Sequence, residues 1–239
     1  MKSIGLLFIA ILLLNLPLFG QKKITYPELK KTGNSIEDFV PYGWALWAVS
    51  YGDLNKDNLQ DAVVVVQNQD IVFVQTKGTG DNAIEYDANP RVLMVLLKNK
   101  GAGYTLADFN NTFIMRNSNP ARYDPFQAVT INKNGILAID YHFCYVAGDR
   151  KHTNATYKFR YQNNNFELIG TEIMDADAKT GESTDYSFNF MTRKMCITKR
   201  NLIKRTKPVE EWQNFELEAL KNFKTLTQPF TWDINEVRL

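Results

Sequence analysis

The sequence is poor in the residues that build zinc sites and thiol nucleophiles. Its 239 residues include only two histidines and two cysteines, which argues against a zinc site made of these ligands. His142 and Cys144 lie two residues apart on a predicted strand, roughly 6.6 Å at about 3.3 Å per residue. That separation is too long for the hydrogen bond by which a histidine activates a thiol. The chain also lacks a G-x-S-x-G motif and a glycine-rich phosphate loop, so no motif points to an enzyme reaction.

A large excess of charge of either sign is also missing. Lys and Arg number 28 and Asp and Glu number 26, for a net charge of +2, which argues against a dedicated nucleic-acid-binding protein. Hydrophobic residues make up 44% and charged residues 23%, a composition typical of globular proteins. Beyond residue 20 no segment is long and apolar enough to span a membrane, so we expect no transmembrane segment in the mature chain.

The first residues have the pattern of a secretory signal peptide. Met1-Lys2-Ser3 is a short positive start, residues 4–19 are almost wholly apolar, and Gly20 precedes Gln21. The apolar run has about 16 residues, fewer than the roughly 20 that span a bilayer. The pattern predicts a signal peptide over residues 1–20 and export to the periplasm or the extracellular space, with an uncleaved N-terminal anchor as the alternative. No cysteine follows the apolar run, so we do not expect a lipid anchor.

Aromatic and β-branched residues are abundant in the rest of the chain and predict strands. The chain has 15 Phe, 11 Tyr and 4 Trp. Residues 62–66 and 92–97 are apolar on both faces, which is typical of buried central strands. Residues 136–145 alternate in polarity, and Asn134-Gly135 before them is a strong signal for a two-residue hairpin turn. We therefore predict a mostly β fold (all-β or α+β), formed by one antiparallel β-rich domain over residues 21–239.

Short helices are expected at both ends of this domain. Ser35 is followed three residues later by Asp38, a pattern similar to a capping box, which predicts one or two helical turns before Pro41. Residues 208–223 carry acidic side chains near their start and Lys221 near their end. This distribution suits the helix dipole and predicts a C-terminal helix.

The two cysteines, Cys144 and Cys196, allow two interpretations. Export would place them in an oxidising compartment, where an even pair of cysteines often forms a disulfide. The alternative is two buried thiols on separate strands. The sequence leaves both open, because it does not show whether the two sulfurs are close.

One loop has the spacing of a cation site. Oxygen-bearing side chains recur at alternate positions in Asp53, Asn55 and Asp57 and again at Asp61, and the carbonyl of Leu59 falls at the seventh position. A tight loop can turn alternate residues inward around a hard cation, and calcium takes six to eight oxygen ligands. The spacing predicts a calcium site formed by these five residues. The alternative is a polar turn without metal, since Asp and Asn also stabilise turns by themselves.

The residues at the sixth and twelfth positions, counted from Asp53, indicate which type of cation site the loop could form. Its sixth position is Asn58, a residue that tolerates positive φ better than most others. An EF-hand is not indicated, because Val64 stands where the closing glutamate is needed and a strand follows instead of a helix.

Together with residues 62–65, the loop Gly52 to Asp61 resembles the cation loop of the FG-GAP or VCBS-type repeat. Residues 96–104 are similar to the second half of that repeat. Only one copy is found, so the resemblance does not imply a full propeller. The chain from 35 to 200 also resembles a family of small exported bacterial proteins without known activity, through Gly52 to Asp61, Asn89-Pro90-Arg91 and residues 157–170. This resemblance implies an exported β-rich fold and carries over no catalytic residues.

These observations favour a non-catalytic, exported, calcium-stabilised protein that acts as an envelope or extracellular binding module. Its ligand or envelope partner is not identified by the sequence. The alternatives are an extracytoplasmic hydrolase acting on a polymer and a structural subunit that assembles through exposed strand edges. A basic stretch could contact lipid headgroups or an acidic polysaccharide, or could be a solvated face. It consists of Arg193, Lys194, Lys199, Arg200, Lys204, Arg205 and Lys207.

Overall fold

The computed structural model describes residues 24–80, 83–144 and 150–239. These residues form sixteen strands and two single turns of 3-10 helix, Glu37–Phe39 and Ile71–Phe73. In chain order the strands are β1 (Thr32–Gly33), β2 (Trp44–Gly52), β3 (Asp61–Asn68), β4 (Val74–Lys77), β5 (Ile84–Asp87), β6 (Arg91–Lys98), β7 (Tyr104–Asn110), β8 (Phe126–Ile131), β9 (Ile136–Phe143), β10 (Lys151–Gln162), β11 (Asn165–Asp177), β12 (Glu182–Asn189), β13 (Lys194–Asn201), β14 (Val209–Asn214), β15 (Asp233–Ile234) and β16 (Val237–Arg238).

Two antiparallel sheets make up most of the protein. The smaller sheet has five strands in the order β1-β7-β6-β3-β2. The larger sheet has seven strands, β8 to β14, each paired with its neighbour in the sequence. Two hairpins, β4–β5 and β15–β16, form separate two-stranded sheets. The predicted antiparallel β-rich fold is confirmed.

The central strands of the smaller sheet are buried on both faces. Val63 and Val65 of β3 point into a core that they share with the larger sheet. Val64 and Val66 point to the opposite face, where the N-terminal segment covers them with Phe39 and other apolar side chains. Such two-sided burial explains why this stretch is apolar at every position instead of alternating. The predicted buried strands at 62–66 and 92–97 are therefore confirmed.

The larger sheet buries one face and exposes the other. Its inner face is rich in aromatic rings that meet edge to face, such as Phe113 against Tyr157 with centroids 5.1 Å apart. Phe159 meets Phe223 of the C-terminal segment in the same way, also at 5.1 Å. Contacts of this geometry add about 0.5–1.5 kcal/mol each to the burial of the rings. Residues of the C-terminal segment therefore close the core from the side.

The two sheets meet where β2 lies beside β8. The backbone N–H of Ile131 donates to the Ser50 hydroxyl at 3.0 Å. A Cβ on Gly52 would stand 2.5 Å from the Ile131 side chain, so this position has no room for a larger residue. The predicted hairpin is present directly after this contact, because β8 and β9 pair across it, but its turn is longer than the two residues predicted. The N–H of Gly135 donates to the carbonyl of Asn132 at 2.9 Å, and Gly135 has φ +67° whereas Asn134 has no positive φ. The junction therefore depends on the close approach of the Gly52 backbone in the smaller sheet to Ile131 in the larger sheet.

The predicted N-terminal helix was wrong. Only the single 3-10 turn forms, and its N-cap residue Ile36 makes no capping hydrogen bond through its side chain. The side chain of Asp38 instead accepts hydrogen bonds from the backbone N–H groups of Asn34, at 2.8 Å, and Ser35, at 3.2 Å. These bonds close a local turn and do not start a helix. An Asp side chain can accept from nearby backbone N–H groups in a turn as well as at a helix start, so the sequence pattern suits both structures.

The predicted C-terminal helix over 208–223 was also wrong. Its first part is strand β14, which pairs along β13 from Lys199 opposite Val209 to Lys194 opposite Asn214. Charges suited to the helix dipole contribute only about 0.3–1 kcal/mol. The open edge of β13 offers a ladder of backbone hydrogen bonds instead, and Val and Trp fit a pleated sheet well. The available partner therefore decided the structure of this segment.

The signal peptide predicted for residues 1–20 lies outside the described residues, as does Tyr145 of the predicted 136–145 strand. Within the described ranges, no helix is both long and apolar enough to cross a membrane.

The sheet topology answers the question about the cysteines. Cys196 lies on β13, whereas Cys144 directly follows β9. Three strands separate β9 from β13, so the two residues are roughly 19 Å apart at about 4.8 Å per strand. A disulfide requires Cα atoms within about 7 Å, and no disulfide joins these two residues.

We therefore expect Cys144 and Cys196 to remain two thiols in the exported, monomeric protein. Alkylation under denaturing conditions without reductant should add two labels, as measured by intact mass. A matched sample that is reduced first should reach the same mass. If the labels appear only after reduction, the two cysteines are bridged and the strand order of the larger sheet is wrong.

Candidate functional site

The loop between β2 and β3 turns its predicted ligands inward. Asp53, Asn55, Asp57 and Leu59 are half-buried and Asp61 is fully buried, whereas the intervening residues 56, 58 and 60 are exposed. This alternation is the pattern expected from the sequence. Positive φ angles at Lys56 (67°) and Asn58 (64°) make the tight turn possible. The structure therefore brings the four predicted ligand side chains to the inner side of one loop, with Leu59 half-buried between Asp57 and Asp61.

Hydrogen bonds within the loop hold its side chains in place. The two carboxylate oxygens of Asp53 accept from the backbone N–H groups of Asp57, at 3.1 Å, and Asn58, at 3.0 Å. The side-chain oxygen of Asn55 accepts from the same Asp57 N–H at 3.2 Å, and its amide donates to Asp57 Oδ2 at 3.0 Å. Asp57 Oδ1 accepts from the N–H of Leu59 at 2.8 Å. The side chains of Asp53 and Asn55 therefore share the backbone amide of Asp57, while the Asp57 side chain accepts from the next inward residue, Leu59.

Asp61 fastens the loop to the smaller sheet. Its Oδ2 accepts from the N–H of Leu54 and its Oδ1 from the N–H of Lys98, both at 2.8 Å. Burial raises the pKa of Asp61, the two backbone N–H bonds oppose that effect, and the charge of Asp57 adds to the increase. The side chain thus joins the loop, the start of β3 and the end of β6.

The loop also packs against the larger sheet. Leu54 is buried in the core that both sheets share. A Cβ on Gly135, in the β8–β9 turn, would stand only 2.5 Å from the carbonyl oxygen of Asp53 and 2.9 Å from the Lys56 ammonium. The loop therefore lies at the junction of the two sheets and is in contact with both.

The chemistry of the loop fits a hard cation. Carboxylate and amide oxygens are the ligands calcium prefers, and a carboxylate has about four lone-pair sites, so one N–H bond per oxygen leaves it able to bind. The same hydrogen bonds would also stabilise a turn without metal. Across 24–80, 83–144 and 150–239, no three His, Cys, Asp or Glu side chains are grouped closely enough to hold an ion. The loop could hold calcium through Asp53, Asn55, Asp57, the Leu59 carbonyl and Asp61, provided that its side chains move closer together.

A second polar cluster surrounds Arg91, which the sequence did not identify as a site residue. Arg91 is almost fully buried, and both terminal nitrogens of its guanidinium contact the carboxylate of Asp124, one of them at 2.9 Å. Its Nε donates to Gln67 at 2.6 Å, and it lies 4.7 Å from the ring centroid of Trp47. The signal in the sequence was an arginine directly before an apolar strand, but its partner lies 33 residues away. Loss of Asp124 would leave the Arg91 charge buried without its carboxylate, which is strongly destabilising.

Two adjoining cavities open beside this cluster. The first, about 430 Å³, is bordered by Tyr26, Asn111, Arg116 and Gln228. The second, about 580 Å³, shares Gln228 with the first. Burial raises the pKa of Tyr26, and the nearby charge of Arg116 partly opposes this effect. The described lining of both cavities contains cations, amides and hydroxyls but no Asp or Glu.

Acidic side chains occur instead at two further depressions on the larger sheet. One of about 400 Å³ is bordered by Asp175, Asp177 and Glu182. Asp177 accepts from the N–H groups of Lys179 and Thr180 in its own turn, and these bonds lower its pKa. Asp175 accepts from the Thr153 hydroxyl. These two carboxylates are therefore engaged in local hydrogen bonds.

The contact between the hairpin and the loop can be tested at Gly135. Gly135→Ala places a residue at φ +67° and adds the Cβ that would overlap the Asp53 carbonyl. Gly43→Ala is the matched control, because Gly43 has φ +76° but no atom within 4 Å of the place its Cβ would take. We expect a loss of about 1–2 kcal/mol in the control from backbone strain, and about 1–3 kcal/mol more at Gly135 from overlap. Urea unfolding measures the free energy of unfolding of both variants. Equal losses would show that the β8–β9 turn is not in close contact with the Asp53 carbonyl.

No family model matches this chain, and no curated protein or solved structure matches it either. The resemblance of the loop to FG-GAP and VCBS-type repeats therefore stays a prediction from its residues.

Proposed function

We propose that this protein is an exported, non-catalytic binding module whose two sheets are held together by a calcium ion in the loop of residues 53–61. The observation that carries the proposal is the position of the loop. Its oxygen-bearing side chains face inward at the junction of the two sheets, with Leu54 in the shared core and the Asp53 carbonyl against Gly135. A cation bound there would order both sides of the junction.

Calcium would supply charge compensation that the loop otherwise lacks. Three carboxylates, those of Asp53, Asp57 and Asp61, lie within nine residues of chain. Each close pair repels by about 1 kcal/mol in a water-like dielectric, and a bound cation reverses that sign. No bidentate glutamate closes the site, so we expect an affinity in the weak extracellular range, about 10⁻⁴ to 10⁻³ M.

The cavities favour a binding role over a hydrolytic one. Their lining offers the guanidinium of Arg116 and the carboxamides of Asn111 and Gln228, groups suited to hold a polar or anionic ligand. A polymer hydrolase of the glycosidase type needs a pair of carboxyl groups flanking the bond to be cleaved. No observation on the described residues favours such a pair, so we keep binding as the proposed function.

Calcium binding is tested by thermal unfolding of three proteins. At about 10 mM calcium the wild type should gain about 1.4–2.7 kcal/mol by mass action, which for a domain of this size raises Tm by about 3–10 °C. Asp57→Ala should unfold at a temperature that calcium does not change. Asp177→Ala is the matched control: it removes the same kind of turn hydrogen bonds, at Lys179 and Thr180, far along the chain from the loop.

The control should keep the full response to calcium. If calcium does not raise the Tm of the wild type, or raises that of Asp57→Ala equally, the loop is a turn without metal. Magnesium at the same concentration should give a smaller effect, because it demands a tighter octahedral shell than this loop offers.

Export is tested separately by expression of the full chain in a Gram-negative host. We expect protein recovered from the periplasm or the medium to begin near Gln21, because residues 1–20 have the pattern of a signal peptide. Intact mass decides between cleaved and uncleaved forms, and a variant lacking residues 2–19 should stay in the cytoplasm. Exported protein that retains Met1 would contradict the cleavage.

A further inference from the structure

The turn between β13 and β14 displays apolar side chains at its tip. Leu202 is 48% exposed and Ile203 is 61% exposed. All residues from 202 to 212 are exposed, and Val209 and Trp212 add further apolar surface on the same hairpin. Single exposed apolar residues are ordinary, but adjacent ones at the end of a hairpin form a protruding apolar point.

Hydrogen bonds around Asn201 make this turn rigid. Its side-chain oxygen accepts from the N–H of Lys204 at 2.7 Å, and its own N–H donates to the hydroxyl of Thr206 at 2.8 Å. The N–H of Leu202 donates to the carbonyl of Gly181 in the neighbouring β11–β12 turn at 2.7 Å. Leu202 and Ile203 are therefore held in position before any partner binds, which reduces the entropy lost on binding.

Cations surround the apolar tip. On and beside three neighbouring turns of the larger sheet, the exposed ones include Arg150, Lys179, Lys199, Lys204, Arg205 and Lys207. None of these six forms an ion pair with a described residue. The turns are linked, since the N–H of Ala178 donates to the carbonyl of Arg150 at 2.7 Å. Within three residues of these turns the described acidic residues are Asp175, Asp177, Glu182, Glu210 and Glu211, five in all, whereas Lys151 and Arg200 bring the cations to eight. Positive charge therefore prevails at this end of the sheet.

We propose that the basic tip, defined as Lys199, Leu202, Ile203, Lys204, Arg205 and Lys207, docks on the surface of an anionic lipid bilayer. Leu202 and Ile203 enter the headgroup region, where burial of apolar side chains is favourable. The Lys and Arg side chains extend along the interface and contact lipid phosphates. An acidic polysaccharide would match the charge but would not bury the aliphatic side chains of Leu202 and Ile203. We therefore assign the lipid surface as the partner.

This proposal does not depend on calcium binding. It rests on the proposed export only in one respect, because export determines which membrane surface the protein meets. The test uses protein that begins at Gln21, which contains every described residue but not the apolar segment 4–19, since that segment would itself bind lipid. Vesicles of phosphatidylglycerol mixed with phosphatidylcholine are compared with vesicles of phosphatidylcholine alone, by co-sedimentation in the presence of a calcium chelator. We expect binding to the anionic vesicles that weakens as salt is raised.

Two sets of variants separate the contributions to binding. Leu202→Ser with Ile203→Ser should lower the partition coefficient at least about tenfold, since burial of apolar area is lost. The matched control is Ile71→Ser with Val72→Ser, because these residues are also adjacent and exposed, at 78% and 55%, but lie in a different turn next to Asp70. Replacing Lys204, Arg205 and Lys207 by Gln should lower the partition coefficient by about fivefold per charge. All variants change exposed side chains, so their Tm should match the wild type.

Each outcome decides the proposal. Binding to anionic vesicles that is lost in the tip variant and kept in the control supports it. No binding to vesicles, or equal loss in tip and control variants, overturns it. Retention on a polygalacturonate column without vesicle binding also overturns it, and would assign the basic surface to a polysaccharide.

Discussion

The structure depends on the need to cover β3 and β6 on both faces. These two strands are apolar at every position from 62 to 66 and from 92 to 97, so neither face of the smaller sheet can meet water without a large loss of burial energy. The larger sheet covers one face, and the N-terminal segment, with Ile36 and Phe39, covers the other. The remaining elements are arranged around this three-layer stack, and the C-terminal segment completes the core with Phe223 and Leu239.

Two-sided burial creates a problem of register that polar residues at the strand ends resolve. The run from 62 to 66 consists of similar side chains, and a slip of two residues would keep each face apolar. Asp61 at one end of β3 accepts from Lys98 N–H, whereas Gln67 at the other end accepts from Arg91. A slip would break both hydrogen bonds and leave buried polar groups without partners, at about 1–3 kcal/mol or more for each. The apolar run supplies the burial, and the polar ends select one alignment.

The sequence predicted what local patterns determine and missed what distant partners determine. The buried strands, the Asn134-Gly135 hairpin and the inward alternation of the Asp53 to Asp61 loop follow from side-chain period and turn chemistry. Residues 208–223 could not be assigned correctly, because the edge of β13 that recruits them becomes available only in the folded sheet. The pairing of Arg91 with Asp124 likewise requires two segments to meet. The first cavity escaped prediction for the same reason, since it lies between the N-terminal segment, residues 111–116 and the C-terminal segment.

The placement of the two polar sites on β3 bears on what a metal ion could do. Asp61 begins this strand and Gln67 stands near its end, roughly 20 Å away at about 3.3 Å per residue. Arg91, which borders the first cavity, lies beside Gln67. A cation in the loop would therefore be too far from the cavities to contact a ligand there. Its effect would pass through the junction of the sheets, where Leu54 and Gly135 lie, and would act on the stability of the module and not on the chemistry of its cavities.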